Sequence, residues 1–530
     1  MTQVMKKVIR FLSLTPELRA FKKFAHLNRL HKDVSASEVF LIESPPGIAT
    51  LITVRLFIAA MTRIEKVTFV AYRSGPNYKL SRIKEYLRFR FSIEKTIGCR
   101  RFYFAGWKPK SYAFYQQFYR ERCNFSEPYS LEKFYYRGIL IGDLIYDDYL
   151  RRSKKPTIDF SDPRFLSVFY EHITLTDIYL ELFDETKIKG IAGSNSVYHF
   201  AIPLRIAVLR DIPTYCIEYN GVARLTRNRL SSFSSFKDYK QFDFESLGEE
   251  WDFLRKEVIN RIKRRFEGEI GVDMPFSKLS SFEITDIQNS PISSPKKRIL
   301  VALHDFFDAP HVYGENFFPD FYIWLLHLGE TSKITDYEWF LKPHPQEVGD
   351  SSKILEDLIT KYPAFQLVES ETSHHELIAR GINLVLTVYG TIGWEYPYFG
   401  IPVINATLNN PHSMFNFSIT PSSRDEYENL LLNLNELPVH AVNLEEIYRF
   451  YFLHYFSALP HLVYYDFATY VREIGGRAKI YSGNDLILYS SYQGSNKRPE
   501  SLILDAITKF IAENSLRLNL SHFGEVTRTI

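Results

Sequence analysis

Three cysteines in 530 residues, Cys99, Cys123 and Cys216, are too few and too scattered for a disulfide framework or a thiolate metal site. Their scarcity fits a reducing cytoplasm. Long apolar runs are missing too. None reaches the roughly 18 uncharged residues that span a bilayer, and the best candidate, Gly47 to Met61, is interrupted by Arg55. The start of the chain is basic, but the apolar run after it is too broken for a signal peptide. There is no internal repeat and no low-complexity tract. A net charge of +3 and basic helices without a recognised module make nucleic acid an unexpected partner.

What is present is an ordinary globular composition, 45% hydrophobic and 24% charged, long enough for two or three domains. Charge is uneven only at the start. Residues 1–32 carry Lys6, Lys7, Arg10, Arg19, Lys22, Lys23, Arg29 and Lys32 against Glu17 alone, interleaved with apolar residues. Such an arm either rests on an anionic membrane surface, here the inner membrane, or packs on the protein with a solvated charged face. Pro16, which divides the arm, favours packing.

From Val39 onward, apolar β-branched runs alternate with helical stretches, which predicts parallel sheets with helices on both faces. The expected organisation is an arm over 1–37, a first Rossmann-like domain over 38–288 and a linker over 289–296, polar and proline-rich. A second Rossmann-like domain over 297–440 and a helical region over 441–530, returning to the first domain, complete it.

The most informative stretch is Asn383 to Ala406, NLVLTVYGTIGWEYPYFGIPVINA. It reads as strand, glycine turn, short helix and strand. In such a unit the helix amino-terminus at the carboxyl edge of the sheet suits a phosphate. Gly390 and Gly393 allow close backbone approach, and Thr387 and Thr391 add hydroxyl donors. Glu395 shares a helix face with Thr391 and is placed either to accept from two ribose hydroxyls or to cap its own helix. Two further strand ends carry polar groups. Ile299 to His311, ILVALHDFFDAPH, ends in His304, Asp305, Asp308 and His311; Trp339 to Pro345, WFLKPHP, presents Lys342 and His344. His412, after the strand that closes the central stretch, falls at the same edge.

Taken in order, HDxxDAPH, KPHP and GTIGxEYPxxGIPVI resemble the carboxyl-terminal half of bacterial GT-B glycosyltransferases of the surface and capsule polysaccharide type, including transferases of Kdo and nonulosonic acids. The resemblance covers about residues 297 to 440 and is fainter over 38 to 225. It implies an α/β GT-B fold with two Rossmann-like domains facing a cleft. It further implies a metal-independent glycosyltransferase with no cofactor besides its nucleotide-sugar co-substrate. A CMP-linked Kdo-like sugar is the first expectation and a UDP-hexose the alternative; an inactive glycan-binding subunit is the reading from another class. The acceptor is then a glycan or lipid-linked oligosaccharide of capsule or lipopolysaccharide assembly.

On this reading Lys342, His344, Thr387, Gly390, Thr391, Gly393, Glu395 and His304 belong to the nucleotide. Asp305, Asp308, His311, His412 and Asn220 belong to the cleft. The segment GILIGDLIYDDYLR, Gly138 to Arg151, places Asp143 and Asp147 four apart on one helix face. The pair suits acid–base or covalent work, or else Asp143 caps the helix and Asp147 pairs with Arg151. With Glu218 at a strand end and His344 on the leaving phosphate, these are the catalytic candidates. His374, His375 and Glu376 are adjacent on a helix and point in different directions, so they are surface or cap residues rather than metal ligands.

Overall fold

The computed structural model describes residues 16–30, 36–44, 50–73, 93–103, 112–123, 125–218, 220–273, 280–283, 295–344, 351–437, 441–459, 461–473, 475, 486, 489–490 and 496–524. Residues 1–15 of the basic arm, residues 289–294 of the expected linker, most of the stretch Tyr78 to Arg101, whose basic sequence reads as a helix, and Pro345 of KPHP lie outside them.

The first sheet contains β1 (Val39–Glu43), β2 (Thr68–Tyr72), β3 (Arg101–Phe102), β6 (Ile188–Gly193), β7 (Thr214–Glu218) and β8 (Gly221–Leu225). A separate antiparallel pair, β4 (Tyr135–Tyr136) and β5 (Ile139–Leu140), precedes helix Gly142–Ser153. The sheet order is β3-β2-β1-β6-β7-β8, parallel apart from β8. The second sheet, β9 (Arg298–Ala302), β10 (Glu338–Lys342), β11 (Phe365–Leu367), β12 (Leu384–Thr387) and β13 (Val403–Asn405), is parallel throughout in the order β11-β10-β9-β12-β13. The protein is thus α/β, with two Rossmann-like parallel sheets, as the alternating apolar runs predict. Strands such as Leu384–Thr387 are buried on both faces, which is why they read as unbroken apolar runs.

Each sheet is covered on both faces. One face of the first packs against helix Leu51–Ile64 and the carboxyl-terminal helix Glu500–Ala512; the other packs against Gly142–Ser153, Pro163–Glu185 and Ala201–Leu209. Arg55, which breaks the longest apolar run, is fully buried and bonds Glu500 at 2.7 Å and the Asn28 carbonyl at 2.6 Å. A charge inside that run is retained because its partner arrives from the far end of the chain. Helix Pro16–Leu27 buries Phe21 and Ala25 in the same core, and Phe24 lies edge-on to Tyr489. In the described part of the arm the apolar face is therefore used within the protein, which supports the packed alternative over a membrane-bound helix. The charged stretch Phe236 to Phe276 reads as helical from its sequence, and its described residues, which end at Asp273, are helical only in part. A 3-10 segment covers Ser232–Gln241, and an α-helix runs from Glu249 to Phe266 and packs with Leu444–Tyr451 and Trp394.

Candidate functional site

In an open α/β sheet, ligands sit beyond the carboxyl ends of the strands where the strand order reverses. The second sheet reverses between β9 and β12. His304 follows β9 and Tyr389 follows β12, and the His304 Nε2 accepts from the Tyr389 N–H at 2.9 Å. Burial, with the nearby His344 adding to it, pushes His304 down to about 3, so its ring is a neutral acceptor. His344 is exposed at the end of β10. Gly390 donates its N–H to Thr387 Oγ1 at 3.1 Å, and Thr391 begins the helix Ile392–Tyr398. These groups line one edge.

Other residues expected there are engaged elsewhere. Lys342 is buried and its Nζ donates to the carbonyls of Ser370 and Thr372 at 2.6 and 2.9 Å. Burial lowers it to about 8, partly offset by Glu371 and Glu376. It shapes the loop after β11 instead of reaching across the edge. Glu395 is buried on Arg265, whose Nε donates at 3.0 Å. His412 is buried, with Nε2 3.1 Å from Asn405 Oδ1, and burial pushes it down to about 3. The need for Gly393 has the same origin. A Cβ there would lie 1.9 Å from His412 Nε2, so the glycine makes room for an imidazole and not for a ligand. Gly393→Ala should therefore destabilise by about 1–3 kcal/mol through overpacking, against the ~1 kcal/mol that alanine ordinarily gains in a helix. A thermal midpoint at or above wild type would show that His412 moves aside freely.

The first sheet reverses between β1 and β6. Glu43, the last residue of β1, is 2% exposed, and its Oε2 accepts from Ser194 N at 2.6 Å and Ser194 Oγ at 2.8 Å. Beside it, Ser232 Oγ lies 2.9 Å from Ser196 Oγ and 2.7 Å from Glu218 Oε1. Glu218, Asn220 and Ser232 line a cavity of about 20 Å³, room for a water and not for a sugar. Sequence reasoning passed over Glu43. Its signal was there: a carboxylate closing an apolar strand just before Ser44-Pro45-Pro46-Gly47.

The two halves meet along the loop after β9. Asp308, the more exposed of its carboxylates, accepts from Tyr198 Oη at 2.9 Å and pairs with Arg151 at 3.3 Å. Arg151 thus serves Asp308 and not Asp147. Asp305 turns inward and accepts the Phe307 N–H at 2.9 Å. His311 reaches into the first domain between two carboxylates, with Nδ1 2.6 Å from Asp147 and Nε2 3.1 Å from Glu132. All three are buried, at 7%, 1% and 5% exposure. Burial opposes the imidazolium, but the flanking carboxylates outweigh it and hold His311 up at about 10. Burial pushes Asp147 up to about 6, with His311 pulling the other way. Nearby, Tyr146 Oη donates to Asp320 at 2.5 Å. This is an interdomain clamp.

The expected carboxylate pair is consequently divided. Asp147 belongs to the clamp, while Asp143 is held by both Arg205 terminal nitrogens at 2.6 Å. His374 and His375 also part, the first to Tyr396 Oη at 3.1 Å, the second to the Phe266 carbonyl at 2.7 Å. No described helix is long and apolar enough to cross a membrane.

No protein-family model matches the chain, and no curated protein does. Solved structures match at low identity. The UDP-GlcNAc 2-epimerase from Neisseria meningitidis bound to UDP-GlcNAc is 12% identical, covering 78% of this chain and 93% of its own, with a TM-score of 0.24. HepE from Anabaena in complex with UDP is 10% identical, covering 79% and 95%, at 0.25. The wall teichoic acid polymerase TagF is 10% identical, covering 93% and 100%, at 0.19. Overlays this poor say nothing of activity, and the architecture stands on the two sheets themselves.

Proposed function

We propose that this chain is a glycosyltransferase of surface-polysaccharide assembly that uses a nucleotide sugar, with a CMP-linked Kdo-like or nonulosonic acid as donor. The observation that carries the reading is the Tyr198–Asp308 hydrogen bond of 2.9 Å. It joins the segments that follow β6 and β9, at the carboxyl ends of strands of the two sheets. One edge is then available for each substrate. The choice of donor rests on the resemblance carried by HDFFDAPH, KPHP and GTIGWEYP.

In this reading the nucleotide lies at the β9/β12 edge, with the neutral His304 and the Gly390-Thr391 turn against it and His344 toward the departing phosphate. The acceptor lies at the β1/β6 edge. Its hydroxyl attacks the anomeric carbon, the bond from that carbon to the phosphate oxygen breaks, CMP leaves, and the hydroxyl proton passes to Glu43. A base must lie within hydrogen-bond reach of that proton, and Glu43, which closes β1 and accepts two bonds from Ser194, is the carboxylate this reading assigns to it. Asp143 and Asp147 are paired with the cationic Arg205 and with His311, whereas Glu43 accepts from the neutral N–H and hydroxyl of Ser194 and is this reading's choice of base.

Calorimetric titration with CMP, UDP and GDP tests the donor. Binding of CMP alone is the expected result; UDP alone would move the reading to a UDP-hexose, and no binding by any of the three would sink it. Glu43→Gln should keep wild-type CMP affinity and lose transfer about 10²–10⁴-fold, the usual share of a positioned base. Transfer at the wild-type rate would remove Glu43 from the chemistry. Retained nucleotide binding without transfer by wild type on any glycan would favour a binding subunit.

A further inference from the structure

Asp148 sits beside Asp147 on helix Gly142–Ser153 but faces a different group. Helix Pro163–Glu185 brings Glu171 and His172, and the turn Tyr198–Phe200 brings His199. Ligand atoms of Asp148, Glu171 and His199 all lie within 4.8 Å of one another. The Arg152 Nη2 stands among them, 2.8 Å from Asp148 Oδ2, 2.8 Å from Glu171 Oε1 and 3.1 Å from His199 Nδ1, which itself lies 3.0 Å from Asp148 Oδ2. A cationic nitrogen marks the point where three donor atoms converge.

His172 adds an independent observation. Its ring is fully buried, and Nδ1 lies 2.8 Å from the Val168 carbonyl. A carbonyl only accepts, so Nδ1 carries the proton and Nε2 bears a lone pair. Nε2 has no hydrogen-bond partner and lies 3.6 Å from Asp148 Oδ2. A buried lone pair facing a carboxylate oxygen is costly unless a positive species joins them. A backbone carbonyl on the second ring nitrogen is also how metal-ligating histidines are oriented.

We infer that Asp148, Glu171, His172 and His199 form a binding site for a divalent transition-metal ion of the zinc class, and that Arg152 competes with the ion for it. Two imidazoles with two carboxylates suit zinc, whose ligands sit at about 2.0–2.2 Å. The donor atoms of Asp148, Glu171 and His199 must therefore close in from their distances to Nη2, and His172 Nε2, outside that trio and 3.6 Å from Asp148 Oδ2, must move in beside them. To admit the ion Arg152 must also give up its Nε bond to Asp148 at 3.0 Å and its Nη1 bond to Glu171 at 2.8 Å, and its side chain, 36% exposed, has solvent to turn into. The ion would tie the turn that carries Tyr198, the residue bonded to Asp308, to two helices of the first domain. Its role would be structural, and the inference is independent of the donor sugar.

Zinc content of the full chain, purified without chelator, and calorimetric titration of Zn²⁺ into EDTA-treated protein test the inference. Equimolar zinc is expected. Arg152→Met should tighten Zn²⁺ binding about tenfold by removing the competitor, and His172→Gln should loosen it about 10–100-fold. Cobalt substitution should give the visible absorption of a four-coordinate ion. If wild type and Arg152→Met, both folded by circular dichroism, fail to bind Zn²⁺, the inference falls. It also falls if zinc binds but neither variant changes its affinity. A His172 imidazolium seen by NMR at neutral pH without zinc binding would assign the gap to a proton and overturn the proposal.

Discussion

Replacing Glu395 by alanine should destabilise the protein by about 3–5 kcal/mol, the cost of leaving a buried cation without its partner. Arg265 is itself buried, and it donates to Glu395 Oε1 at 3.0 Å through Nε and to the Val272 carbonyl at 3.0 Å through Nη1. It stacks 5.7 Å from the Trp394 ring, so its position is determined from several sides. In Glu395→Ala it can neither reach water nor find another carboxylate at that distance; Asp273 lies at 3.9 Å. The double variant Arg265→Met, Glu395→Leu should recover most of the loss, because a hydrophobic pair of similar volume commonly replaces a buried ion pair without penalty. Urea midpoints of the three proteins check this. A single variant as stable as wild type, but with weakened nucleotide binding, would return Glu395 to the ribose.

His311→Gln should cost a similar 3–5 kcal/mol at neutral pH, because Asp147 and Glu132 then face each other in a buried gap without a cation. Its pH dependence is the sharper test. His311 is held at about 10 in the folded protein, while an unfolded histidine titrates near ~6.5. Below the unfolded value the stabilisation is fully present. Between the two values the folded state holds the extra proton, so stability falls as pH rises, by at most about 1.4 kcal/mol per pH unit. Asp147, raised to about 6, acts with the same sign in a lower window, from ~3.8 upward. Lys342, lowered to about 8, acts with the opposite sign above that value. The informative quantity is therefore the difference between wild type and His311→Gln. It should shrink steadily from about pH 7 to about pH 9. A constant difference would mean that His311 is neutral and the clamp is not ionic.

Both results turn on partners that no local pattern announces. Glu395 lies four residues after Thr391, and on a helix that spacing does place the two on one face. What occupies the face is Arg265, 130 residues earlier in the chain. Asp143 and Asp147 likewise share a face by spacing, yet Arg205 claims one and His311 the other, from 62 and 164 residues away. Gly393 reads as an opening for a ligand until His412 is seen to fill it. In each case the partner that occupies the residue comes from another part of the chain.

The alternation of apolar strands with helices, the division into two Rossmann-like sheets and the polar strand ends at His304, His344 and Glu218 were determined by the sequence alone. They follow from local period, turn chemistry and burial on both faces, which depend on neighbours in the chain. The strand order decided where the sheets reverse, and so raised Glu43 and the His304–Tyr389 contact above the other strand ends. Only the tertiary structure could do this. The energy of a buried charge depends on the charge that reaches it, and here that partner comes from another element or the other domain.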